Sequence, residues 1–96
     1  MINAVHIDDR DSCVTVTSAV KAGDNVEFRV GGTTQSVIAK SDVPVYHKVA
    51  VVSVKAGEFV YKYGERIGIS KEDIEPGDYV HIHNLKPVGA DGRDMK

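Results

Sequence analysis

Apolar and polar residues alternate along most of the chain, which is typical of half-buried β-strands, whereas the spacing of about 3.6 residues that marks an amphipathic helix is almost absent. The alternation predicts strands over residues 4–7, 13–17, 25–30, 33–39, 49–54, 59–61 and 79–84. The run 49–54 is apolar at successive positions, which predicts a strand buried on both faces. Only residues 71–74 indicate a helix, one turn at most, with Ser70 as its N-cap.

A short pattern of an apolar residue, any residue, Ala or Pro, Gly, an acid, any residue and Val occurs three times, beginning at Val20, Val54 and Ile74. Glycine at the third position of a four-residue turn predicts a type II turn, because φ must be positive there. The three starting positions are unevenly spaced, which excludes a solenoid. The pattern therefore predicts a compact fold whose strands bend at three similar corners, and Gly31-Gly32 predicts a tight hairpin.

Composition limits the classes of protein. The 96 residues suffice for one domain, for which we expect residues 1–86, with the polar, aperiodic residues 87–96 as a flexible tail. The formal net charge of −2 does not favour a nucleic-acid partner. No apolar run approaches the roughly 20 residues of a membrane helix, and acidic residues interrupt any signal peptide. A single cysteine, Cys13, cannot form an internal disulfide, so we expect a cytoplasmic protein.

The first candidate for chemistry is the predicted strand 79–84. Alternation would place Tyr79, His81 and His83 on one face of this strand. Two imidazoles two residues apart can converge on a metal ion or on an anionic group of a substrate. The alternative is a solvated strand face without a special function. A structural zinc site is disfavoured, because one cysteine and four scattered histidines do not provide its four ligands.

Two further candidates are a polar pair and a polar loop. His47 and Lys48 stand at the start of the apolar run, where they would face water or a ligand rather than be buried unpaired. The loop 61–68 contains two glycines, Lys62 and Arg66, so its backbone amides and charges suit a carboxylate or phosphate. For both, an ordinary structural role is the alternative: an exposed strand entry and a corner of the fold.

Other arrangements of reactive residues give less. The acidic stretch 8–11 offers paired carboxylates, but an acidic turn between two strands explains it more simply. No Ser or Cys lies in a Gly-x-Ser-x-Gly context, so the sequence does not support a catalytic triad.

Three motifs between His47 and Asn84 occur together: His-Lys-x-Ala, then Gly-Glu-x-Val-x-Lys-Tyr-Gly-Glu-x-Ile-Gly, then Asp-Ile-x-x-Gly-Asp-x-Val-His-x-His-Asn. In combination they resemble the small domain of the altronate/galactarate dehydratase family, a SAF-type domain. In that family the domain is either the N-terminal part of a long chain or a separate small subunit. The chain departs from the family at three places. Tyr46 stands where relatives usually carry Gly, and Ser12 stands where many carry Asn. Ile69-Ser70 replaces a small residue followed by Thr.

The resemblance implies a mostly β fold, a SAF-like β-clip of short bent strands with at most one short helical turn. It also implies a role in a metal-dependent lyase that acts on sugar acids. Such an enzyme removes a proton α to a carboxylate while a divalent metal ion, iron, aids departure of a β-hydroxyl. The large portion of such enzymes is not in this chain, so we expect the metal ion to be bound mainly by a separate large dehydratase subunit.

On this hypothesis a polar face of the domain would dock at the active site of the large subunit. Lys48 and Lys62 would receive the substrate carboxylate, and His81 or His83 would orient a hydroxyl, transfer a proton or complete the metal shell. The residues of this face are His47, Lys48, Lys62, Tyr63, Glu65, His81, His83 and Asn84.

Alternatives from other classes stay open. The chain could be a free-standing β-clip module that binds a small acid or a protein, or a regulatory or structural partner whose histidines are incidental. Within the enzyme hypothesis, sulfolactate is an alternative substrate to a sugar acid. Sulfolactate carries a sulfonate where the sugar acids carry a polyol tail, and the sequence does not discriminate between them. A homo-oligomer is also compatible with the sequence, whereas a membrane partner is not expected.

Overall fold

The computed structural model describes residues 2–8, 10–62, 64–81 and 83–87, and all regular structure in these ranges is β. The predicted mostly β fold is confirmed, and residues 71–74 form no helical turn because Ser70 ends a strand instead. The strands are β1 (Ala4–Val5), β2 (Cys13–Val16), β3 (Asn25–Val30), β4 (Thr33–Ile38), β5 (Lys48–Ala50), β6 (Phe59–Lys62), β7 (Glu65–Ser70), β8 (Tyr79–Val80) and β9 (Leu85–Pro87).

The strands form one central sheet and two smaller ones, all antiparallel. The central sheet has the order β1-β2-β5-β8, β3 pairs with β4, and β6-β7-β9 form the third sheet. Strand β9 reaches Pro87, the first residue of the predicted tail, and residues 88–96 lie outside the described residues. In the described part of the chain, no helix is long and apolar enough to cross a membrane.

The strands with clear alternation form where they were predicted. Strand β3 has the predicted bounds, and it joins β4 through Gly31 and Gly32, whose φ angles of 56° and 84° are those of a tight hairpin turn. Strand β2 ends one residue before its predicted end, and β6 continues one residue further than predicted.

The prediction of one long, doubly buried strand over residues 49–54 is wrong. Strand β5 ends at Ala50, and Val52 is 46% exposed. The chain leaves the central sheet there because the next corner begins at Val54, which forms an isolated bridge with Ile74. Strand β8 is also shorter than predicted, because the chain turns after Val80, where the amide of Asn84 donates to the carbonyl of His81 (3.0 Å).

Each of the three predicted corners is a turn with a glycine in the left-handed region. The φ angles are 92° at Gly23, 88° at Gly57 and 96° at Gly77. In each turn the amide after the glycine donates to the carbonyl three residues earlier, at 2.9, 3.0 and 3.0 Å respectively. These angles and bonds are those of type II turns.

A fourth corner of the same kind lies at residues 43–47. The amide of His47 donates to the carbonyl of Pro44 (3.1 Å), and Tyr46 takes the position of the glycine with a φ of 68°. Among the described residues, Tyr46 is the one non-glycine residue with a positive φ. The sequence pattern missed this corner because Gly is absent from it.

The four corners are joined in two pairs, so the fold contains two copies of one unit. Val20 bridges Val43, and Val54 bridges Ile74. Each unit consists of a corner, a hairpin, a second corner and a short strand: β3, β4 and β5 in the first unit, and β6, β7 and β8 in the second. The closing strands β5 and β8 pair with each other in the central sheet.

The fourth corner also lacks the acid that ends the other three. In each glycine corner the acid accepts a hydrogen bond from the amide of the first turn residue; the pairs are Asp24 with Lys21 (2.9 Å), Glu58 with Lys55 (2.8 Å) and Asp78 with Glu75 (2.8 Å). In the fourth corner the first turn residue is Pro44, which has no amide hydrogen. Position 47 therefore needs no acid, and it carries His47.

The hydrophobic core consists of two clusters. One contains Ala4, Val14, Val16, Val20, Val26, Phe28, Ala39, Val43 and Val49. The other contains Cys13, Ala50, Val54, Val60, Ile74 and Val80. The register of the central sheet explains the division, because neighbours such as Val49 and Ala50 point to opposite faces.

A buried ion pair ties the N-terminal turn to the β6–β7 hairpin. The predicted acidic turn is confirmed, since the amide of Asp11 donates to the carbonyl of Asp8 (2.9 Å). The Asp11 carboxylate accepts a hydrogen bond from the amide of Gly64 (2.8 Å) and lies 3.9 Å from Lys62 Nζ. The side chains of Asp11 and Lys62 are 0% and 1% exposed, so this pair lies inside the protein.

Replacing Tyr46 by glycine is expected to stabilise the protein by about 1 kcal/mol, because glycine adopts a positive φ without the cost that an L-residue bears. The midpoint of thermal unfolding should rise by about 4–8 °C. The matched control is Val45→Gly in the same turn, which should destabilise, since Val45 has no positive φ to relieve. A Tyr46→Gly variant that unfolds at a lower temperature than the unsubstituted chain would contradict the assigned strain.

Asp11→Asn should lower the free energy of unfolding by about 3 kcal/mol. The new amide can still accept from Gly64, but the Lys62 charge stays buried without its carboxylate, and the Asp8 amide loses its acceptor, the second carboxylate oxygen (3.2 Å). Urea denaturation measures the change. Asp42→Asn is the control: its carboxylate also accepts a backbone amide (2.9 Å from Ala22 N), but at an exposed site. We expect less than about 1 kcal/mol there. Adding Lys62→Met to Asp11→Asn should restore part of the loss, and equal losses in the two Asp→Asn variants would disprove the role of the buried charge.

Candidate functional site

Three imidazoles and one phenol lie close together near the start of β5 and the end of β8. The ring centroid of His47 lies 5.0 Å from that of His81 and 5.6 Å from that of Tyr79. Tyr79 lies 5.6 Å from both His81 and His83. The predicted common side for Tyr79, His81 and His83 is thus confirmed, and we call these four residues the imidazole cluster.

The register of β5 and β8 explains why His47 joins this cluster. Lys48 is opposite Val80, and Val49 is opposite Tyr79. Extending this antiparallel register by one residue brings His47 beside His81, on the face that Val49 and Tyr79 share. His47, Tyr79 and His81 are half-buried and His83 is exposed, so the cluster is open to a ligand.

Tyr79 lies at the centre of the cluster and forms its shortest polar contact. The Tyr79 hydroxyl is 2.6 Å from His47 Nδ1. The Tyr79 ring also packs against the first core cluster, which holds the phenol in place. Alternation predicted the correct face for Tyr79, but Tyr79 was not among the predicted site residues. Its position two residues before His81 could have indicated that it belongs to the site.

The side chain of Asn84, another predicted site residue, is buried and engaged with the backbone. Its Oδ1 accepts a hydrogen bond from the amide of His81 (3.0 Å), and its Nδ2 donates to the carbonyl of Tyr79 (2.8 Å). Asn84 therefore holds the turn that carries His81 and His83, and its side-chain groups are occupied in doing so.

Lys48 lies on the opposite face of the central sheet from His47. It shares that face with Ala50 and Val80, next to the buried Cys13. Burial raises the pKa of the Cys13 thiol to about 12, and the charges of Lys62 and Lys48 partly oppose this rise. Both lysines thus lie near Cys13, on the other side of the sheet from the imidazole cluster.

Most of the predicted polar loop 61–68 is strand instead, because residues 61–62 end β6 and residues 65–68 begin β7. Lys62 is buried beside Asp11, and Glu65 is exposed opposite it in the register. The Gly64 amide, which an anion would need, donates to Asp11 instead. Tyr63 lies outside the described residues. The structure thus brings His47, His81 and His83 together and places Lys48 and Lys62 elsewhere.

Imidazoles can donate or accept hydrogen bonds and can bind transition metals, and these properties determine the chemistry of the imidazole cluster. Among the described residues, no three His, Cys, Asp or Glu side chains are arranged to hold a metal ion. Imidazoles are a donor type that iron accepts, so His81 and His83 fit part of a coordination shell.

Comparison with known proteins gives the family. The model of the altronate/galactarate dehydratase SAF domain matches residues 2–87. The (2R)-sulfolactate sulfo-lyase subunit alpha of Paracoccus pantotrophus is 45% identical over 67 residues, which are 70% of this chain and 90% of that protein. The protein of the same name from Chromohalobacter salexigens is 33% identical over 84 residues, which are 85% of this chain and 89% of that protein.

A second kind of relative is much longer. Altronate dehydratase of Bacillus subtilis is 39% identical over 51 residues, which are 53% of this chain but 10% of that enzyme. The domain thus occurs both as most of a small subunit and as a small part of a long chain. The family model covers nearly the whole chain, and the chain belongs to the altronate/galactarate dehydratase SAF domain family.

Proposed function

We propose that this chain is the small subunit of a metal-dependent sugar-acid dehydratase, a hydro-lyase, whose active site a separate large subunit completes. The observation that carries the proposal is the imidazole cluster, which brings three histidines beside β5 and β8 together on one face of the domain. Membership of a family whose relatives are a lyase subunit and a dehydratase supports the same class of reaction.

The relatives support the need for a partner. This chain aligns with nine-tenths of a protein named as subunit alpha, and with one-tenth of altronate dehydratase. On this proposal the large subunit provides most of the metal ligands. The buried, unpaired Cys13 is compatible with the cytoplasmic location that we propose for the complex.

Within the complex, we assign binding and proton transfer to the imidazole cluster. A divalent metal ion, iron on this proposal, supplies Lewis-acid polarisation of the leaving hydroxyl when bound. His81 and His83 would hold that ion from the side of this subunit, or orient or protonate the hydroxyl. His47 would contact the substrate on the same face. We do not assign the substrate carboxylate to Lys62 or Lys48, because Lys62 is buried beside Asp11 and Lys48 lies on the other face.

Sulfolactate is a second candidate substrate. The sulfolactate sulfo-lyase subunits align with 70% and 85% of this chain, and altronate dehydratase aligns with 53%. Sulfolactate and the hexonates share a carboxylate but differ in a sulfonate against a polyol tail, so one pair of assays separates them.

Co-expression with the candidate large subunit should give a complex that, with ferrous iron, acts on altronate, galactarate or sulfolactate. His81→Ala combined with His83→Ala should lower kcat/KM by about 100-fold or more, because proton-transfer groups typically contribute that much. The control is His6→Ala, since His6 lies against Phe28 (5.9 Å between ring centroids) and outside the cluster. It should retain activity within about 2-fold while the complex stays intact.

Two results would overturn this proposal. Full activity of the large subunit alone would remove the role of this chain in the reaction. Unchanged activity of the double histidine variant in an intact complex would remove the imidazole cluster from the site. If the chain binds an acid tightly but activates no large subunit, the free-standing binding module becomes the better explanation.

A further inference from the structure

We propose that Tyr79 is a positioning residue for His47. Its hydroxyl donates to His47 Nδ1 and thereby keeps the imidazole in the tautomer that has hydrogen on Nε2. The importance of this tautomer for catalysis depends on the function proposed above, but the hydrogen bond itself belongs to this chain alone.

The direction of the hydrogen bond follows from the chemistry of the two groups. The two heavy atoms are 2.6 Å apart, which is short for a hydrogen bond that involves nitrogen. The unprotonated nitrogen of a neutral imidazole is a good acceptor, whereas the oxygen of a phenol is a better donor than acceptor because its lone pairs are delocalised into the ring. The hydroxyl is thus the donor and Nδ1 the acceptor. In the neutral ring the single hydrogen must then be on Nε2.

The phenol can act in this way because both the backbone and the ring of Tyr79 are held in place. Its backbone pairs with Val49 in the central sheet, and its carbonyl accepts from the buried Asn84 amide (2.8 Å). Its ring packs against the first core cluster and against the ring of His81, with an angle of 27° between the two rings. A donor fixed in this way selects one orientation of the His47 ring as well as one tautomer.

The consequence is that His47 presents a donor to the ligand. A fixed Nε2–H suits an oxygen that accepts a hydrogen bond, such as a carboxylate, a sulfonate or a hydroxyl of an acidic substrate. On the face of the imidazole cluster, this N–H would bind the substrate oxygen that the family resemblance had assigned to Lys48 and Lys62.

Nitrogen-15 NMR of the full chain tests the proposal without any partner. At a pH where the imidazoles are neutral, His47 should show the Nε2–H tautomer, with Nδ1 as the unprotonated nitrogen. In Tyr79→Phe, His47 should change to a mixture of both tautomers, while His83 should keep its own pattern. Tyr46→Phe is the matched control, because it removes a hydroxyl next to His47 in sequence from a side chain that is 74% exposed. The control should leave the His47 signals unchanged.

Two outcomes would overturn the inference. One is an Nδ1–H tautomer of His47 in the unsubstituted chain, and the other is a His47 spectrum that does not change in Tyr79→Phe. Because the first measurement uses the unsubstituted chain, a poorly folded Tyr79→Phe variant does not leave the proposal untested. These results do not depend on a large subunit, so failure of the proposed function would not affect them.

The complex gives a second measurement with a different readout. There, Tyr79→Phe should lower kcat/KM by about 10-fold, which is less than the double histidine variant, because His47 remains present but is wrongly oriented part of the time. A Tyr79→Phe complex with unchanged kcat/KM would show that the tautomer has no role in the reaction.

Discussion

The arrangement of the molecule depends on one local constraint, the four-residue turn whose third residue has a positive φ. Four such turns, bridged in two pairs, close two copies of one strand unit, and the last strands of the units then lie side by side as β5 and β8. The imidazole cluster is a direct result of this pairing, because antiparallel strands bring His47, just before β5, beside His81, just after β8. Backbone pairing thus brings the residues of the site together, and the side chains of Tyr79 and Asn84 then set their orientation.

The first unit departs from the common turn where the site begins. Pro44 removes the amide that the acid of the other corners accepts from, so position 47 can carry an imidazole at no cost to the turn. Tyr46 is different, since it occupies a glycine position with φ 68° and a side chain that is 74% exposed. Nothing in the described residues shows a stabilising contact that compensates for this strain.

The features that follow from short-range pattern were predictable from the sequence. Alternation and turn residues gave β3, β4 and the glycine corners, and they placed Tyr79, His81 and His83 on one face. The features that depend on long-range register were not predictable. His47 meets His81 only through the pairing of β5 with β8, and Lys62 is buried only because Asp11, distant in sequence, lies against the β6–β7 hairpin. The run 49–54 misled for the same reason, since the bridge of Val54 to Ile74 ends the strand early.

The central sheet separates two kinds of charge, and this separation bears on how the proposed complex divides its work. Lys48 and Lys62 lie on the side of Cys13, so their fixed positive charges are directed away from the imidazole cluster. The cluster itself consists of groups whose charge changes with proton transfer and of one phenol. On the proposed function, an acidic substrate would meet proton donors and acceptors on this face, while Lys48 and Lys62 lie on the other side. A countercharge for its carboxylate would then come from the metal ion or from the large subunit. The small subunit would then act through tautomer and orientation, the properties that Tyr79 and Asn84 control.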